Sequence, residues 1–394
     1  MREIASETIG ERTARVRSRR GLTQEQLADA AGVSVDLVRK LEQNQRRSTR
    51  IGTLHALARA LKVQTSVLID APFPEDVDRP SSGIVALRHA LTPGRQLPDV
   101  EPSSLDELRI AVGEAWTLHQ RGDYESSARE LPGLIDEARA ATREHPGNAG
   151  QQLLAEVYHL AAVLLLGLRA EDLACLAAER LQVVADGVGD PSSRARAADT
   201  WAWVFCRQGR LDDAKQVALT TADEIEPRFA ATADELALWS ALLQRGVTVA
   251  ARNDEPDLVD DLIALARAAG ERIGEDRNDR WSLSGPTNVA MHAVRAAVDL
   301  GQPEKALALV EDVPRMGSAP PAWWARHLLD VAHAQFDMKL DAEALETFER
   351  IDRLAPGWLP YQGIVHEIVR GMLRRGRRTP ELRRVAARLD LQDY

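Results

Sequence analysis

Two cysteines in 394 residues, Cys175 and Cys206, rule out a disulfide framework, and no Cys/His cluster has the spacing of zinc ligands. Both thiols read as small buried residues on apolar helix faces, which implies a reducing compartment. Aromatic residues make up only 4% of the chain, and β-branched runs are nearly absent, so an almost wholly helical protein is expected. The most apolar stretch, Leu160 to Leu168, is too short to span a bilayer, and the N-terminal MREIASETIG is too polar for a signal peptide. A cytoplasmic location without membrane contact is expected. The chain also lacks a Gly-rich phosphate loop, a nucleophile elbow and a metal cluster, and its nine His residues have no acidic partners at ligand spacing. No catalytic residue, metal or cofactor is therefore expected, and the chain does not read as an enzyme.

What is present begins with TQEQLADAAGVSVDLVRKLEQN, Thr23 to Asn44. Thr23 can cap a helix running through Gln24, Leu27, Ala28 and Ala31, with Leu27 and Ala31 one turn apart on one face. Ala28 is small where two helices cross closely, and Gly32 can adopt the positive φ of a short inter-helix turn. Ser34 caps a second helix that buries Leu37, Val38 and Leu41 and leaves Val35, Asp36, Arg39, Lys40 and Gln43 on the other side. Residues 1–70 carry 13 Lys and Arg against 8 Asp and Glu, a formal +5, within a chain of net charge −10, so the remainder carries −15. A basic end on an acidic body turns that end toward a polyanion and keeps the rest away from it.

This stretch resembles the phage-repressor type, or XRE family, of helix-turn-helix proteins, over about residues 8–70. The resemblance implies a five-helix DNA-binding domain whose third helix lies in the major groove of double-stranded DNA. It also implies a phosphate contact for Gln24. Ser34, Val35, Asp36, Arg39 and Lys40 would face bases or the adjacent backbone, and Asn44, Arg46, Arg47 and Arg50 would approach phosphates. Lys40 suits a guanine edge and Val35 a thymine methyl, whereas Asp36 can only accept from cytosine or be repelled by phosphate. A small helical bundle without a DNA partner is the plain alternative, and the charge asymmetry argues against it.

Between Ala71 and Ser104 six prolines (Pro72, Pro74, Pro80, Pro93, Pro98 and Pro102) prevent a continuous helix. Only Ile84 to Leu91 has helical spacing, with Ile84, Leu87 and Leu91 on one face. The expected organisation is a DNA-binding domain over 1–71, a Pro-rich connector with a short helix over 72–104, and a second domain over 105–394.

From Leu105 onward helix pairs recur. KLDAEALETFERIDRLAP, Lys339 to Pro356, looks like the second half of a tetratricopeptide repeat, with Ala344 at the helix crossing, Phe348 one turn later and Pro356 at the end. GDYESSA, GRLDDA and GQPEKA, starting at Gly122, Gly209 and Gly301, place a turn and a small residue correspondingly. Further pairs fall around Gly167 and Asn253, and a last one spans Tyr361 to Arg375 and Pro380 to Leu389. The expected fold is thus all-α: a five-helix helix-turn-helix domain followed by a tetratricopeptide-like α-solenoid, whose concave face is lined by first helices and suits extended ligands.

All eight Trp residues lie in the second domain, at Trp116, Trp201, Trp203, Trp239, Trp281, Trp323, Trp324 and Trp358. Core packing accounts for most of them, but Trp201 and Trp203 cannot both face inward on one helix, and Trp323 and Trp324 raise the same conflict. The best ligand candidates are in DRWSLSGPTNVAMHAVRAAVDLG, Asp279 to Gly301. After Trp281, the residues Asn288, His292 and Arg295 follow at i, i+4 and i+7, a polar stripe on an otherwise apolar helix. A solvated face is the plain reading, yet exposed helices prefer Glu, Lys and Arg to Asn and His. RRGRR, Arg374 to Arg378, reads as a solvated helix end with favourable dipole placement, with a nucleic-acid contact as the alternative.

The complete layout is similar to a large group of actinomycete regulators, on the strength of GPTNVAMHAVRAAVDLG and VHEIVRGMLRRGRRTPELRRVA, and more distantly to peptide-pheromone-sensing regulators of other Gram-positive bacteria. In the latter an Asn in the groove grips the peptide and the repeats also dimerise, a role that Asn288 matches in kind, but the likeness transfers no ligand. One recognition helix reads only a few base pairs, so the expected protein is a homodimeric transcription regulator on a palindromic operator, whose repeat domain senses a peptide, small molecule or protein in the groove near Asn288. A protein-interaction scaffold, with the helix-turn-helix as a docking module, is the alternative from another class.

Overall fold

Hydroxyl side chains set the starts of the first three helices, α1 (Ile9–Arg19), α2 (Gln24–Ala31) and α3 (Val35–Glu42). Thr8 with Glu11 and Thr23 with Gln26 form reciprocal capping boxes, and Ser34 accepts from the backbone N–H of Leu37 at 3.2 Å. Gly32, at φ 64°, ends α2 in the left-handed region that a side chain would strain. With α4 (Ile51–Ala60) these helices enclose Leu27, Ala28, Val38, Leu41, Leu57 and Leu61, all essentially without solvent contact. Leu37 is only half-buried, because it sits at the rim between the core stripe and the polar face of α3. Of the expected fifth helix, Val67 and Leu68 are helical and Leu68 is fully buried. In this computed structural model the described residues are 8–45, 49, 51–61, 63, 67–68, 82–94, 100–278, 283–314, 319–376 and 379–391.

Helix α5 (Ser82–Leu91) buries Leu87, Ala90 and Leu91 in the core of the helices that follow, so it is packed as part of the body. Among the described residues seven helical hairpins succeed it. They are α6 (Leu105–Arg121) with α7 (Tyr124–Glu144), α8 (Asn148–Gly167) with α9 (Glu171–Val188), and α10 (Pro191–Arg207) with α11 (Leu211–Glu224). Next come α12 (Ala233–Arg252) with α13 (Pro256–Ile273), α14 (Pro286–Asp299) with α15 (Pro303–Leu309), α16 (Pro321–Asp337) with α17 (Asp341–Leu354), and α18 (Gly363–Arg374) with α19 (Pro380–Arg388). A two-residue antiparallel ribbon, β1 (Arg277–Asn278) and β2 (Leu283–Ser284), precedes α14. Each hairpin turns on one residue of positive φ. Gly122, Gly209, Gly301 and Gly376 fill that position in four turns, and Arg169, Asp254 and Lys339 fill it in the other three.

Small residues set the distance between the two helices of a pair. Ala128, Ala178, Ala214, Ala266, Ala306 and Ala344, on successive second helices, are all buried. Helix α8 is the one described helix long and apolar enough to cross a membrane, and 72% of that apolar window is buried as core. Cys206 is buried, but Cys175 is only half-buried, so one of the two thiols departs from the expected core position.

The stack winds tightly enough for its ends to meet: Trp358 donates its indole N–H to the Tyr124 hydroxyl at 3.0 Å, and Tyr124 and Tyr361 pack at 5.3 Å. The first hairpin also reaches the ribbon in mid-stack, where Gln120 exchanges amide hydrogen bonds of 2.9 and 3.1 Å with Asn278. The N-terminal unit docks beside this closure. Arg12 donates from Nε to the Leu68 carbonyl at 2.9 Å and from Nη2 to Glu367 of α18 at 3.3 Å, and Glu367 also accepts from Arg370 at 3.1 Å. Arg12 and Glu367 are both buried. A cavity of about 200 Å³ remains between the two units, bounded by Ile9 and Leu54 on one side and Arg252, Asp299 and Glu367 on the other.

Gly52 of α4 meets the body so closely that a Cβ there would lie 2.4 Å from the Arg252 carbonyl oxygen, a backbone atom that cannot swing aside. Gly52→Ala is therefore expected to loosen the docking of the two units while favouring the helix itself by about 0.5–1 kcal/mol. Small-angle scattering should show a larger radius of gyration with unchanged helical circular dichroism; an unchanged radius would refute the contact.

Candidate functional site

Two surfaces hold the candidate residues. The first is the polar face of α3. Asp36, Arg39 and Lys40 are exposed there, Val35 and Asn44 are partly buried, and Ser34 is exposed at the cap. Arg39 lies 3.9 Å from Glu25, and Lys40 lies 2.7 Å from Asp36 one turn back. Exposed pairs of this kind contribute ~0–1 kcal/mol, so an approaching phosphate or base can displace either carboxylate at low cost. Asp36 is thus the residue that holds Lys40 in the free chain. Arg46, Arg47 and Arg50 lie outside the described residues.

The face is aimed by a network that the sequence motif did not reveal. Glu42, the last residue of α3, receives Arg17 of α1 through two bonds, Nε at 2.7 Å and Nη2 at 2.8 Å, and Gln24 of α2 through its amide nitrogen at 2.7 Å. Arg17 also donates to the Leu22 carbonyl at 2.7 Å, and the Glu42 bonds hold its guanidinium above its ordinary range. One buried carboxylate therefore ties all three helices together. The Gln24 amide, placed by the motif to meet phosphate, already spends one N–H on Glu42, which fixes its direction. Asn44, at φ 56°, accepts from the Thr8 hydroxyl at 2.6 Å and donates to Glu11 at 3.2 Å, so it joins α3 to the start of α1. Helix α4 and the docked face of α1 are turned to the body, and the polar side of α3 is left open.

The second surface is the inner face of the hairpin stack. The stripe on α14 points at first helices α10 and α12, but its members differ in kind. Asn288 is buried and donates to Gln244 and, at 2.7 Å, to the Leu283 carbonyl, so it fastens the ribbon and α12 to α14. Both amide N–H groups are thereby committed within the protein. His292 and Arg295 follow without such partners. Trp281 lies outside the described residues. The Trp203 ring carries three guanidinium groups, with Arg245 at 4.6 Å, Arg252 at 5.3 Å and Arg295 at 5.4 Å from its centroid. Trp201 stacks on Phe205 at 5.2 Å, and both Trp201 and Trp203 are partly buried against the same core. In the second adjacent pair Trp324 is buried and Trp323 only partly so.

His119, His159, His292 and His366 are kept neutral near pH 7. Burial lowers His119 and His366 to about 4, and burial followed by the nearby guanidinium groups lowers His159 and His292 well below the usual value. Burial, then Arg326, brings Arg295 down to about 9. Among the described residues no group of three or more His, Cys, Asp or Glu could hold a metal ion.

Residues 12–68 match the family model described as Helix-turn-helix. Among solved structures the chain is similar to PlcR of Bacillus thuringiensis, solved in complex with the peptide PapR7 and DNA, at 12% identity, covering 89% of this chain and 100% of that one, with a TM-score of 0.38. It is also similar to a point mutant of PrgX at 9% identity, covering 97% of this chain and 100% of that one, with a TM-score of 0.28. No curated protein matches the chain.

Two outcomes test these surfaces. Glu42→Ala leaves Arg17 without its main partner and should destabilise the N-terminal unit by about 3 kcal/mol in denaturant melts, and a loss below about 1 kcal/mol would remove Glu42 from its anchoring role. Between pH 6.5 and 4 the unfolded chain protonates His119 and His366 while the folded chain does not, so stability should fall as pH falls through that window; a melting temperature that is flat from pH 7 to 4 would contradict their burial. The caps, the Gly32 turn, the Glu42 anchor and the open polar side of α3 agree with the family match in one conclusion: residues 12–68 are a helix-turn-helix domain, carried by a body of helical hairpins.

Proposed function

We propose that this protein is a sequence-specific DNA-binding transcription regulator whose helical body senses an effector. The observation that carries the reading is the exposed polar side of α3, held by Glu42 at the front of a basic domain while the rest of the chain is acidic. On this reading Ser34, Val35, Asp36, Arg39 and Lys40 face the groove and its edges. Gln24, Asn44, Arg46, Arg47 and Arg50 face phosphates. Lys40 reads a guanine edge once Asp36 releases it, and Arg39 leaves Glu25 in the same way.

The reading assigns residues 1–71 to DNA binding, 72–104 to the connector and 105–394 to sensing and pairing, in the cytoplasm. On this reading the body is a tetratricopeptide-like solenoid, which the buried small residues on its second helices support. One recognition helix covers only a few base pairs, so a homodimer on a palindromic operator supplies the discrimination that one copy lacks. The effector is a peptide or small molecule on the inner face, beside His292 and Arg295. Its influence reaches DNA through the docking of α1 and α4, because the Arg12–Glu367 pair and the Gly52 contact fix the direction in which α3 points.

A salt-dependent shift assay on genomic fragments separates this reading from a scaffold, which would show no sequence preference at physiological salt. Lys40→Ala should lower discrimination at one base position by about 1–3 kcal/mol, while Gln24→Ala should weaken all sites alike. Uniform effects on every fragment from both variants would overturn the assignment of α3 as the reading helix.

A further inference from the structure

Among the described residues of the inner face, Arg295 is a cation without a carboxylate of its own. Around Trp203, Arg245 holds Asp199 through bonds of 2.8 and 3.1 Å, and Arg252 holds Asp299 at 3.3 Å. Arg326, on the neighbouring first helix, holds Asp330 at 2.9 Å. Arg295 lies in the field of Arg326 and Arg252, and the carboxylates within reach of its own field, Asp330 and Asp299, are those two arginines' partners. It leans on Trp203, yet it makes no ion pair or hydrogen bond with any described residue, and its Nε is shielded from solvent without a partner. His292, one turn earlier on α14, is likewise without a partner at Nδ1. A guanidinium withdrawn from water among other guanidinium groups is costly, by several kcal/mol, unless an anion completes it. Cation–π contact with a ring already shared by two other arginines repays little of that cost. The residue is only partly exposed, so part of it stays within reach of an incoming group.

We infer that Arg295, with His292 beside it, is the receptor for an oxyanion, a carboxylate or phosphate, on the effector. This inference rests on the sensing role proposed above and names the chemical class of its ligand. The planar fork of Arg295 matches a two-oxygen group, and the neutral ring of His292 adds a hydrogen bond without adding charge. The paired arginines nearby raise the local potential for an anion but are occupied by Asp199, Asp299 and Asp330, so the incoming group binds the fork that has none. Asn288, committed to Gln244 and Leu283, supports the helix that carries both residues.

The test uses the full chain without DNA, so that its failure leaves the DNA-binding reading to its own assay. Melting temperature is followed at constant ionic strength with inorganic phosphate, with citrate, and with pools of short peptides bearing free or amidated C-termini. At least one oxyanion probe should raise the midpoint by about 2 °C or more at tenfold excess over its Kd. Arg295→Met should weaken that probe at least about tenfold, and Arg295→Lys should weaken it less, since charge remains and the fork is lost. Protection by free but not amidated peptides identifies a peptide C-terminus as the source, and protection by phosphate or citrate identifies a free acid. Without any probe, Arg295→Met should melt no lower than the wild-type chain, because the substitution removes a lone buried cation. The proposal is overturned if no probe protects the wild type, if wild type and Arg295→Met respond equally, or if Arg295→Met melts far lower or does not fold.

Discussion

The contact between the first hairpin and the segment that leads into the last, Trp358 on Tyr124, constrains the rest of the body. A stack of hairpins that never met itself would expose its inner face along its whole length, and polar residues there would be solvated at little cost. Closure withdraws that face from water. Every charge on it then needs a partner, and the inner first helices meet the need with Arg245–Asp199, Arg252–Asp299 and Arg326–Asp330. The same withdrawal keeps His159 and His292 neutral in the physiological range.

Closure also creates the platform on which the DNA-binding domain rests. Helix α18 brings Glu367 to Arg12, and the end of α12 brings the Arg252 carbonyl to Gly52. Arg252 is thus at once a ring partner of Trp203, an ion-pair partner of Asp299 and the backbone contact of α4. A change in the inner face has a short physical route to the domain junction through that residue, with no need for a long chain of intermediaries.

The hairpins show why the repeat was legible in some places and faint in others. Turns built on Gly122, Gly209 and Gly301 announce themselves, because glycine enters the left-handed region freely. At Arg169, Asp254 and Lys339 the same backbone is imposed on a side chain, at about 1 kcal/mol each, by the helices on either side. The turn residue itself gives no signal there, and those turns are legible only from the helix pattern around them, near Gly167, near Asn253 and at the start of KLDAEAL. Leu37 and Cys175 follow a related rule: residues at the rim of an apolar stripe are buried only as far as the neighbouring helix reaches.

Caps, turn glycine and apolar spacing by themselves determined the helix-turn-helix, the all-helical class and the paired helices, because these depend on interactions spanning a few residues. They also placed Asn288, His292 and Arg295 on one stripe. Only the tertiary structure separated the three, satisfying Asn288 within the protein and leaving Arg295 without a carboxylate. The same holds for Glu42, whose partners Arg17 and Gln24 come from two other helices, and for Arg12, whose partner lies 355 residues away. Periodicity tells which residues share a face, but whether a charge on that face is paired depends on what the fold brings opposite it, and that is set by long-range packing.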